Sequence, residues 1–280
     1  MEPVNEVTNM TCSCKGIRTC LVCEELKPKL NKEKSAKCVF YYCEICGDKA
    51  WTSVDHRTHG DGNNSISVNG VFLAKGVINE SEETEIVNQI DSPLSPSPWV
   101  GSQSGRRKQD YGPKVNFKKK LCKIGRFVGI PKYAHTLMKQ FLSKFEVLKD
   151  FRAVELCNLE YVPERGSSID PHLDDDWLWG ERLVTLNLLS TTILTLTRVY
   201  SENNNDDDDD VEVAITLPAR SLLVLYGEAR FRWYHSVKRK DITERRLAMT
   251  WRELTPLFLP DGDEYESIGK DLLQVADREI

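Results

Sequence analysis

The sequence lacks long apolar runs. No stretch contains about eighteen consecutive apolar residues, the length that a membrane helix needs. The first ten residues are polar and no apolar run follows them, so we expect neither a secretory signal nor a membrane span. Apolar residues make up 40% of the chain and charged residues 29%, which is typical of a globular protein. We therefore expect an intracellular protein, located in the cytoplasm and nucleus.

Disulfides are not expected either, because a chain without an export signal stays where thiols are kept reduced. The nine cysteines are then thiols or metal ligands. Four of them form a Cys-x-Cys pair and a Cys-x-x-Cys pair: Cys12, Cys14, Cys20 and Cys23. Short gaps let a tight turn present both thiolates to one ion, so this cluster is a candidate Zn(II) site. Free thiols are the alternative.

A second cysteine pair, Cys43-x-x-Cys46, is followed by His56 and His59. These four residues could form a mixed zinc site, although the gaps are shorter than in ordinary zinc fingers, and free thiols are again the alternative. The segment from Trp51 to Asn69 is rich in Gly, Asn, Ser, Asp and Thr, which is typical of a loop or linker. We therefore divide the chain into a cysteine-rich N-terminal module with its linker, residues 1–65, and a second domain, residues 66–280.

The net charge of −5 hides a segregation of charge. Between Arg106 and Arg126, nine basic residues stand against one acid, Asp110, a local balance of +8 that leaves −13 for the remainder. Tyr111 and Phe117 are interleaved with these cations. Such a strip suits phosphate groups with bases stacked on the rings, or an acidic protein surface. A solvated loop beside an edge strand is the alternative.

The second half of the chain consists of short β segments. Seven of them are separated by turn residues: 151–162, 182–189, 193–200, 211–217, 221–226, 232–237 and 245–254. This pattern predicts a sandwich or a jelly roll. Five aspartates at 206–210 indicate a hydrated hairpin tip, with calcium binding as a minor alternative. Apolar spacing predicts helices after Asn79, around Phe141 and over residues 264–279.

The segment Asp170-Pro-His172-Leu-Asp174 carries the chemistry that we consider most informative. His172 and Asp174 stand two apart, so on extended backbone their side chains leave one face. A second histidine, His235, follows a further apolar run. Two imidazoles and one carboxylate are the ligand set that holds Fe(II) while leaving positions open for a cosubstrate and dioxygen. A surface turn with a solvated aspartate is the alternative.

Two arginines follow His235 on a predicted strand. Arg246 and Arg252 share a face, so both guanidinium groups are expected to point toward the triad. Buried arginines are costly unless a carboxylate meets them, and a bidentate clamp on a dicarboxylate would provide that partner. An outward face bonded to acids of a neighbouring strand is the alternative.

Together these residues resemble the AlkB family of Fe(II)- and 2-oxoglutarate-dependent dioxygenases, over residues 71–255. The resemblance implies a mainly β, α+β protein: a double-stranded β-helix (jelly roll) with flanking helices and a cysteine-rich N-terminal extension. It implies Fe(II) on His172, Asp174 and His235, and 2-oxoglutarate as cosubstrate.

The resemblance also implies roles for residues around the triad. Arg246 would pair with the distal carboxylate of 2-oxoglutarate and Arg252 would support its proximal end, while Asn158 and Tyr161 would complete the pocket. The family spaces that asparagine and tyrosine two apart, whereas here they stand three apart and need a bulge to point the same way. The implied substrate lid contains residues of the basic strip: Arg106, Arg107, Lys108, Tyr111 and Phe117.

The activity implied is oxidative N-demethylation, in which 2-oxoglutarate becomes succinate and the methyl carbon leaves as formaldehyde. The branch of the family that the chain resembles is associated with methyl-lysine on actin, in the actomyosin system, and with N6-methyladenine in DNA, so both substrate classes stay open. The alternative function is a non-catalytic binding protein on a dioxygenase scaffold, acting through the basic strip and the cysteine module.

Overall fold

A computed structural model describes residues 12–15, 19–26, 38–60, 64–199 and 211–280. The acidic segment at 206–210 lies outside these residues. None of the helices in the described part of the chain is long and apolar enough to cross a membrane.

The described residues form sixteen strands, most of them short. The strands are β1 Cys38–Tyr42, β2 Lys49–Trp51, β3 Ser65–Ser67, β4 Val71–Ala74, β5 Val100–Gly101, β6 Arg107–Tyr111, β7 Lys114–Asn116, β8 Leu121–Lys123, β9 Glu155–Tyr161, β10 Ile169–His172, β11 Trp179–Leu188, β12 Thr192–Arg198, β13 Val211–Leu217, β14 Ser221–Leu225, β15 Trp233–Val237 and β16 Arg246–Leu254. The α-helices are α1 Leu21–Leu26, α2 Glu80–Ile90, α3 Lys132–Lys144, α4 Gly227–Phe231 and α5 Lys270–Ala276.

Two seven-stranded sheets face each other. One has the order β10-β15-β12-β13-β1-β2-β3, the other the order β4-β14-β11-β16-β9-β6-β5, and β7 with β8 makes a separate hairpin. The eight strands from β9 to β16 are divided four and four between the two sheets, in a chain order that crosses repeatedly from one to the other. This is the topology of a jelly roll, so the predicted fold class is confirmed.

All seven predicted strands of the second half are present, with ends shifted by a few residues. Sequence reasoning missed β10, which pairs with β15 at a sheet edge. Pro171 lies within this strand and lacks a backbone donor, and an edge strand tolerates that loss. The short, polar β10 therefore shows no apolar alternation from which it could have been predicted.

Helices α2, α3 and α5 cover the outer face of the second sheet. Asn79 caps α2 through the predicted capping box with Glu82. Phe141 of α3 packs edge-on against Trp251 of β16, with ring centroids 6.3 Å apart. Helix α5 buries Leu272 against the same core. A second apolar core fills the space between the sheets, and the candidate site lies there.

The cysteine-rich segment extends the jelly roll. Strand β1 pairs in parallel with β13, and β2 and β3 continue that sheet outward. Phe40 and Ala50 are buried in the core between the sheets. The domain boundary predicted at residue 65 falls at the start of β3, inside this sheet.

Candidate metal centre and cosubstrate pocket

A pocket between the two sheets is lined by the predicted triad and both arginines. Strand pairing brings His172 at the end of β10 opposite His235 on β15. The two imidazole centroids lie 4.2 Å apart. Asp174 follows β10 by two residues, and its Oδ1 lies 3.6 Å from Nε2 of His172 and 3.9 Å from Nε2 of His235. The three side chains therefore converge on one point.

One ligand atom from each of these residues lies within 4.8 Å of the others. Neutral imidazoles suit a metal, because a protonated ring nitrogen cannot coordinate. Burial, reinforced by the neighbouring His172, lowers the pKa of His235 to about 3. Nδ1 of His172 lies 2.8 Å from the backbone oxygen of Asp170, and donation to that oxygen leaves Nε2 free to face the centre.

Asp174 stays ionised although it is buried. Burial alone would raise its pKa, but Arg252 and the hydrogen bond with His172 outweigh burial, so the pKa is lowered well below 3.8. Arg252 donates from Nε to Oδ2 of Asp174 over 2.6 Å. The Arg230 guanidinium donates to the Asp174 backbone oxygen over 2.9 Å. A two-histidine, one-carboxylate set of this kind fits a divalent iron ion with open positions.

Arg246 lies at the other end of the pocket, where its side chain has a polar partner but no anionic one. Its Nε donates to Oδ1 of Asn187 over 2.6 Å, and its guanidinium carbon lies 4.7 Å from the centre of the Tyr161 ring. No carboxylate of the described residues forms an ion pair with Arg246, although the residue is only 2% exposed. Burial lowers the pKa of Arg246 below the ordinary value of a guanidinium. A buried cation of this kind fits an anionic ligand such as a carboxylate.

Arg252 lies on the same face of β16 as Arg246 but has different partners. Beside Asp174, its guanidinium forms an ion pair with Glu155 of β9. Burial alone would lower the pKa of Arg252, but these two carboxylates outweigh burial and raise it well above the ordinary value of a guanidinium. The structure thus differs from the expectation that Arg252 supports the proximal end of 2-oxoglutarate, because its guanidinium already binds two acids of the protein.

The assignment of Asn158 to the pocket is wrong. Strand β9 pairs with β16 in regular register, without the bulge that would turn Asn158 and Tyr161 to one face. Asn158 instead faces the helices and donates to Oε1 of Gln109 over 3.0 Å and to the hydroxyl of Tyr133 over 3.1 Å. Leu159, two residues before Tyr161, lines the pocket in its place.

The predicted lid residues separate into two groups. Arg107 and Tyr111 face away from the pocket: Arg107 pairs with buried Glu160 over 2.6 Å, and the Tyr111 hydroxyl bonds Ser95 over 2.8 Å. Their assignment to a lid is therefore wrong, because alternation along β6 turns them toward the helices.

For the other three predicted lid residues, the lid assignment stays a prediction. Arg106 lies with its guanidinium carbon 5.9 Å from the Tyr161 ring centre, and Lys108 pairs with Asp110 over 2.5 Å on the pocket face of β6. Phe117 is 44% exposed at the turn between β7 and β8.

The first cysteine cluster is assembled beside the metal centre. Sγ of Cys12 lies 3.1 Å from Sγ of Cys23 and 3.6 Å from Sγ of Cys20. The backbone nitrogen of Ser104 donates to Cys14, and the hydroxyl of Thr19 donates to Asp170, the residue whose carbonyl holds His172. The four thiols, drawn from both ends of a twelve-residue stretch, are close enough to share one ion.

Sequence reasoning missed Glu155, Asn187 and Leu159. Period-two alternation counted back from Tyr161 would have found Leu159 and Glu155 on the pocket face. Asn187 carries no such signal, because it reaches Arg246 only through the pairing of β11 with β16.

A jelly roll that holds His-x-Asp and a distant histidine between its sheets, next to a buried arginine without an acid partner among the described residues, defines the class of Fe(II)- and 2-oxoglutarate-dependent dioxygenases. Comparison with known proteins narrows this class. Chains of Mus musculus and Homo sapiens, both described as alpha-ketoglutarate-dependent dioxygenase alkB homolog 4, are each 42% identical to this chain, over 95% of it and 93% of each relative. The chain belongs to the AlkB family.

A further relative and a solved structure are also similar to this chain. A Caenorhabditis elegans protein described as a DNA N6-methyl adenine demethylase is 36% identical, over 95% of this chain and 94% of that protein. The solved structure of a Trichoplax adhaerens prolyl hydroxylase aligns with a TM-score of 0.43 and 17% identity, over 66% of this chain and 83% of that one. No protein-family model matches the sequence.

Proposed function

We propose that this dioxygenase removes methyl groups from nitrogen, with His172, Asp174 and His235 as ligands of Fe(II). The observation that carries the proposal is the convergence of these three donors within 4.8 Å, in one pocket with the guanidinium of Arg246, which has no acid partner in the described part of the chain. When bound, iron and 2-oxoglutarate supply the oxidising power that an unactivated N-methyl carbon requires.

The residues of the chain bind the cosubstrate, hold the metal ligands in position and exclude water from the pocket. Arg246 binds the distal carboxylate of 2-oxoglutarate, with Asn187 and Tyr161 fixing the guanidinium plane. Arg252 keeps Asp174 ionised and in place. Apolar side chains from both sheets, such as Leu183, line the space between the two arginines and exclude bulk water.

For the substrate we propose N6-methyladenine in DNA. The relative from Caenorhabditis elegans is named a DNA N6-methyl adenine demethylase. The hairpin of β7 and β8 contains five lysines and no acid between Lys114 and Lys123. The side chains of Phe117 and Leu121 are exposed at its turn. This hairpin follows Gly112, where a Cβ would lie 2.7 Å from Cγ of Glu155, so it adjoins the Arg252 end of the pocket. Clustered lysines beside an aromatic ring suit a phosphate backbone with an unstacked base.

We also propose that Cys12, Cys14, Cys20 and Cys23 bind a structural zinc ion. The separation of 3.6 Å between the sulfurs of Cys12 and Cys20 is close to the edge of about 3.8 Å expected for four thiolates at zinc–sulfur distances of about 2.3 Å, and the 3.1 Å between Cys12 and Cys23 is shorter than that edge. Because Thr19 reaches Asp170 from within this cluster, the ion would stabilise the strand that carries His172.

Mass spectrometry after incubation with Fe(II) and 2-oxoglutarate tests the proposed substrate. An N6-methyladenine oligonucleotide is expected to lose one methyl group per adenine, with formaldehyde and succinate formed in equal amounts. A methyl-lysine peptide of actin is the competing substrate in the same assay. Demethylation of the peptide alone would reject DNA as substrate, and succinate formation without demethylation of either would reject both substrates while leaving the dioxygenase intact.

A further inference from the structure

A second group of metal-ligating side chains lies at the edge of the first sheet, far along the strand order from His172. It consists of Cys43, Cys46, His56 and His59. Strands β1, β2 and β3 end the sheet that begins with β10, so this group and the triad occupy opposite edges of one sheet. The dioxygenase reaction makes no use of it.

The turn between β1 and β2 presents the two thiols. The backbone nitrogen of Cys43 donates to the oxygen of Lys49 over 3.2 Å and closes the turn around the Cys-x-x-Cys segment. Gly47 follows Cys46 with a φ of 59°, a left-handed conformation that a glycine adopts without strain. Both sulfurs therefore point to the same side of the turn.

A single 3-10 turn presents the two imidazoles. Asp55 caps it by accepting from the backbone nitrogen of Arg57 over 3.1 Å, and the backbone nitrogen of His59 donates to the oxygen of His56. Residues three apart lie one above the other in a 3-10 helix. His56 and His59 accordingly meet edge to face, with ring centroids 5.4 Å apart.

The distances between sulfur and nitrogen match a tetrahedral site. Nδ1 of His56 lies 3.4 Å from Sγ of Cys43 and 3.4 Å from Sγ of Cys46, and Nδ1 of His59 lies 3.4 Å from Sγ of Cys46. Zinc–sulfur distances of about 2.3 Å and zinc–nitrogen distances of about 2.05 Å give a tetrahedral S–N edge of about 3.5 Å.

The surroundings of His59 fix which nitrogen faces the sulfurs. Its Nε2 lies 2.9 Å from the backbone oxygen of Ser53, and donation to that oxygen leaves Nδ1 unprotonated toward the cluster. Its ring also stacks on Trp51, with centroids 4.7 Å apart and an interplanar angle of 8°. Metal-binding histidines commonly have a carbonyl partner of this kind on the second nitrogen.

From this geometry we propose that Cys43, Cys46, His56 and His59 bind one Zn(II) ion in a closed structural site. Four protein ligands leave no position for substrate, unlike the three of the triad. The ion ties the segment of residues 52–60 to the turn between β1 and β2, and so stabilises the extension of the sheet.

Differential alkylation of the unmodified full-length protein tests this site without any substitution. The protein is treated with iodoacetamide, with and without a strong zinc chelator, and modification is read by peptide mass spectrometry. Cys43 and Cys46 are expected to be protected until the chelator is added. Cys38, an exposed thiol of β1 outside every cluster, is the internal control and should react in both samples. Equal modification of Cys43, Cys46 and Cys38 before chelation would overturn the proposal.

Zinc content of matched variants provides the second measurement. The Cys46→Ser variant is expected to contain one zinc equivalent less than the unsubstituted protein, and the Cys38→Ser variant is expected to keep the full content. His56→Cys should retain the ion, because a thiolate can replace the imidazole. Unchanged zinc in Cys46→Ser would contradict the site, and since the first cysteine cluster and the triad are intact in all three variants, they cannot account for a difference.

Discussion

The two ends of the pocket contain arginines on the same face of β16 that differ in how their charge is compensated. Arg252 binds Asp174 and Glu155, whereas Arg246 has only the amide of Asn187 and the ring of Tyr161 among the described residues. Both guanidinium groups are withdrawn from water, so the absence of an acid at one of them is costly unless a ligand supplies it.

This difference assigns a separate task to each end. At the Arg252 end, two acids of the protein balance the charge, and the arginine holds Asp174, a ligand in the proposed metal site. At the Arg246 end, no acid of the described residues balances the charge, and in the proposed function 2-oxoglutarate supplies the missing anion. A buried cation that lacks an acid partner therefore indicates a ligand site more specifically than the presence of two arginines on one strand.

The largest effect is expected from Asp174→Ala. Removal of one of the three donors leaves two imidazoles and takes away one of the two acids that pair with Arg252, so conversion of 2-oxoglutarate to succinate should fall to the level of the metal-free protein. Asp176→Ala, an exposed carboxylate two residues away, is the matched control and should retain turnover. Equal turnover in the two variants would reject the triad.

Arg246→Lys is expected to raise the KM for 2-oxoglutarate by about 10- to 100-fold, because an ammonium replaces a bidentate charge-assisted pair. The neighbouring Arg245 faces the other side of β16, where it pairs with Asp91 over 2.8 Å. Arg245→Lys should leave the KM unchanged. Steady-state succinate formation measures both variants, and a similar KM for Arg246→Lys and the unsubstituted protein would place the cosubstrate elsewhere.

The Arg252→Lys variant distinguishes the role of Arg252 from that of Arg246. One ammonium cannot hold Asp174 and Glu155 as the guanidinium does, so the affinity for Fe(II) is expected to fall by about 10-fold, within the range seen for groups that orient metal ligands. The KM for 2-oxoglutarate at saturating iron should change less than in Arg246→Lys. If the KM rises as much while iron affinity stays constant, Arg252 contacts the cosubstrate directly.

The pH dependence of stability follows from His235. Its pKa is about 3 in the folded chain and 6.5 as the reference for the unfolded one, so between these values the unfolded state binds the extra proton. The free energy of unfolding of the metal-free protein should therefore decrease as the pH falls below about 6.5, by at most about 1.4 kcal/mol per pH unit from this residue. Urea unfolding of His235→Gln should show a slope smaller by this amount. An identical slope in the variant would contradict the buried neutral imidazole.

The smallest effect on the pocket is expected from Asn158→Ala. Its amide bonds Gln109 and Tyr133 on the helix side, so the variant should lose about 1 kcal/mol of stability and keep the KM for 2-oxoglutarate. An increase in KM comparable to that of Arg246→Lys would restore Asn158 to the pocket.

Much of the fold and site follows from local pattern. The periodicity of the side chains predicts the seven strands and the shared face of Arg246 and Arg252. The spacing of Asn79 and Glu82 predicts the capping box. The errors have physical causes. The family resemblance predicts Asn158 in the pocket with Tyr161, whereas the alternation of side chains along β9 places these two residues on opposite faces. The regular pairing of β9 with β16 follows the alternation.

Pairing across the sheets supplies what local pattern does not contain. Arg252 is contacted by Glu155, at the start of β9, and by Asp174, two residues after the end of β10. Arg246 is contacted by Asn187 of β11. In the same way, Tyr111 alternates with basic residues in the sequence but is buried under the helices, because β6 adds to the sheet with that face inward.

Anaerobic titration of the Fe(II)-loaded protein with 2-oxoglutarate tests the central claim most directly. Binding of the cosubstrate to iron is followed by its visible charge-transfer absorption. The unsubstituted protein should develop this absorption to saturation, Arg246→Lys should require about 10- to 100-fold more 2-oxoglutarate, and Asp174→Ala should not develop it. Saturation at the same concentration in all three proteins would contradict a metal centre built from this triad and a cosubstrate bound by Arg246.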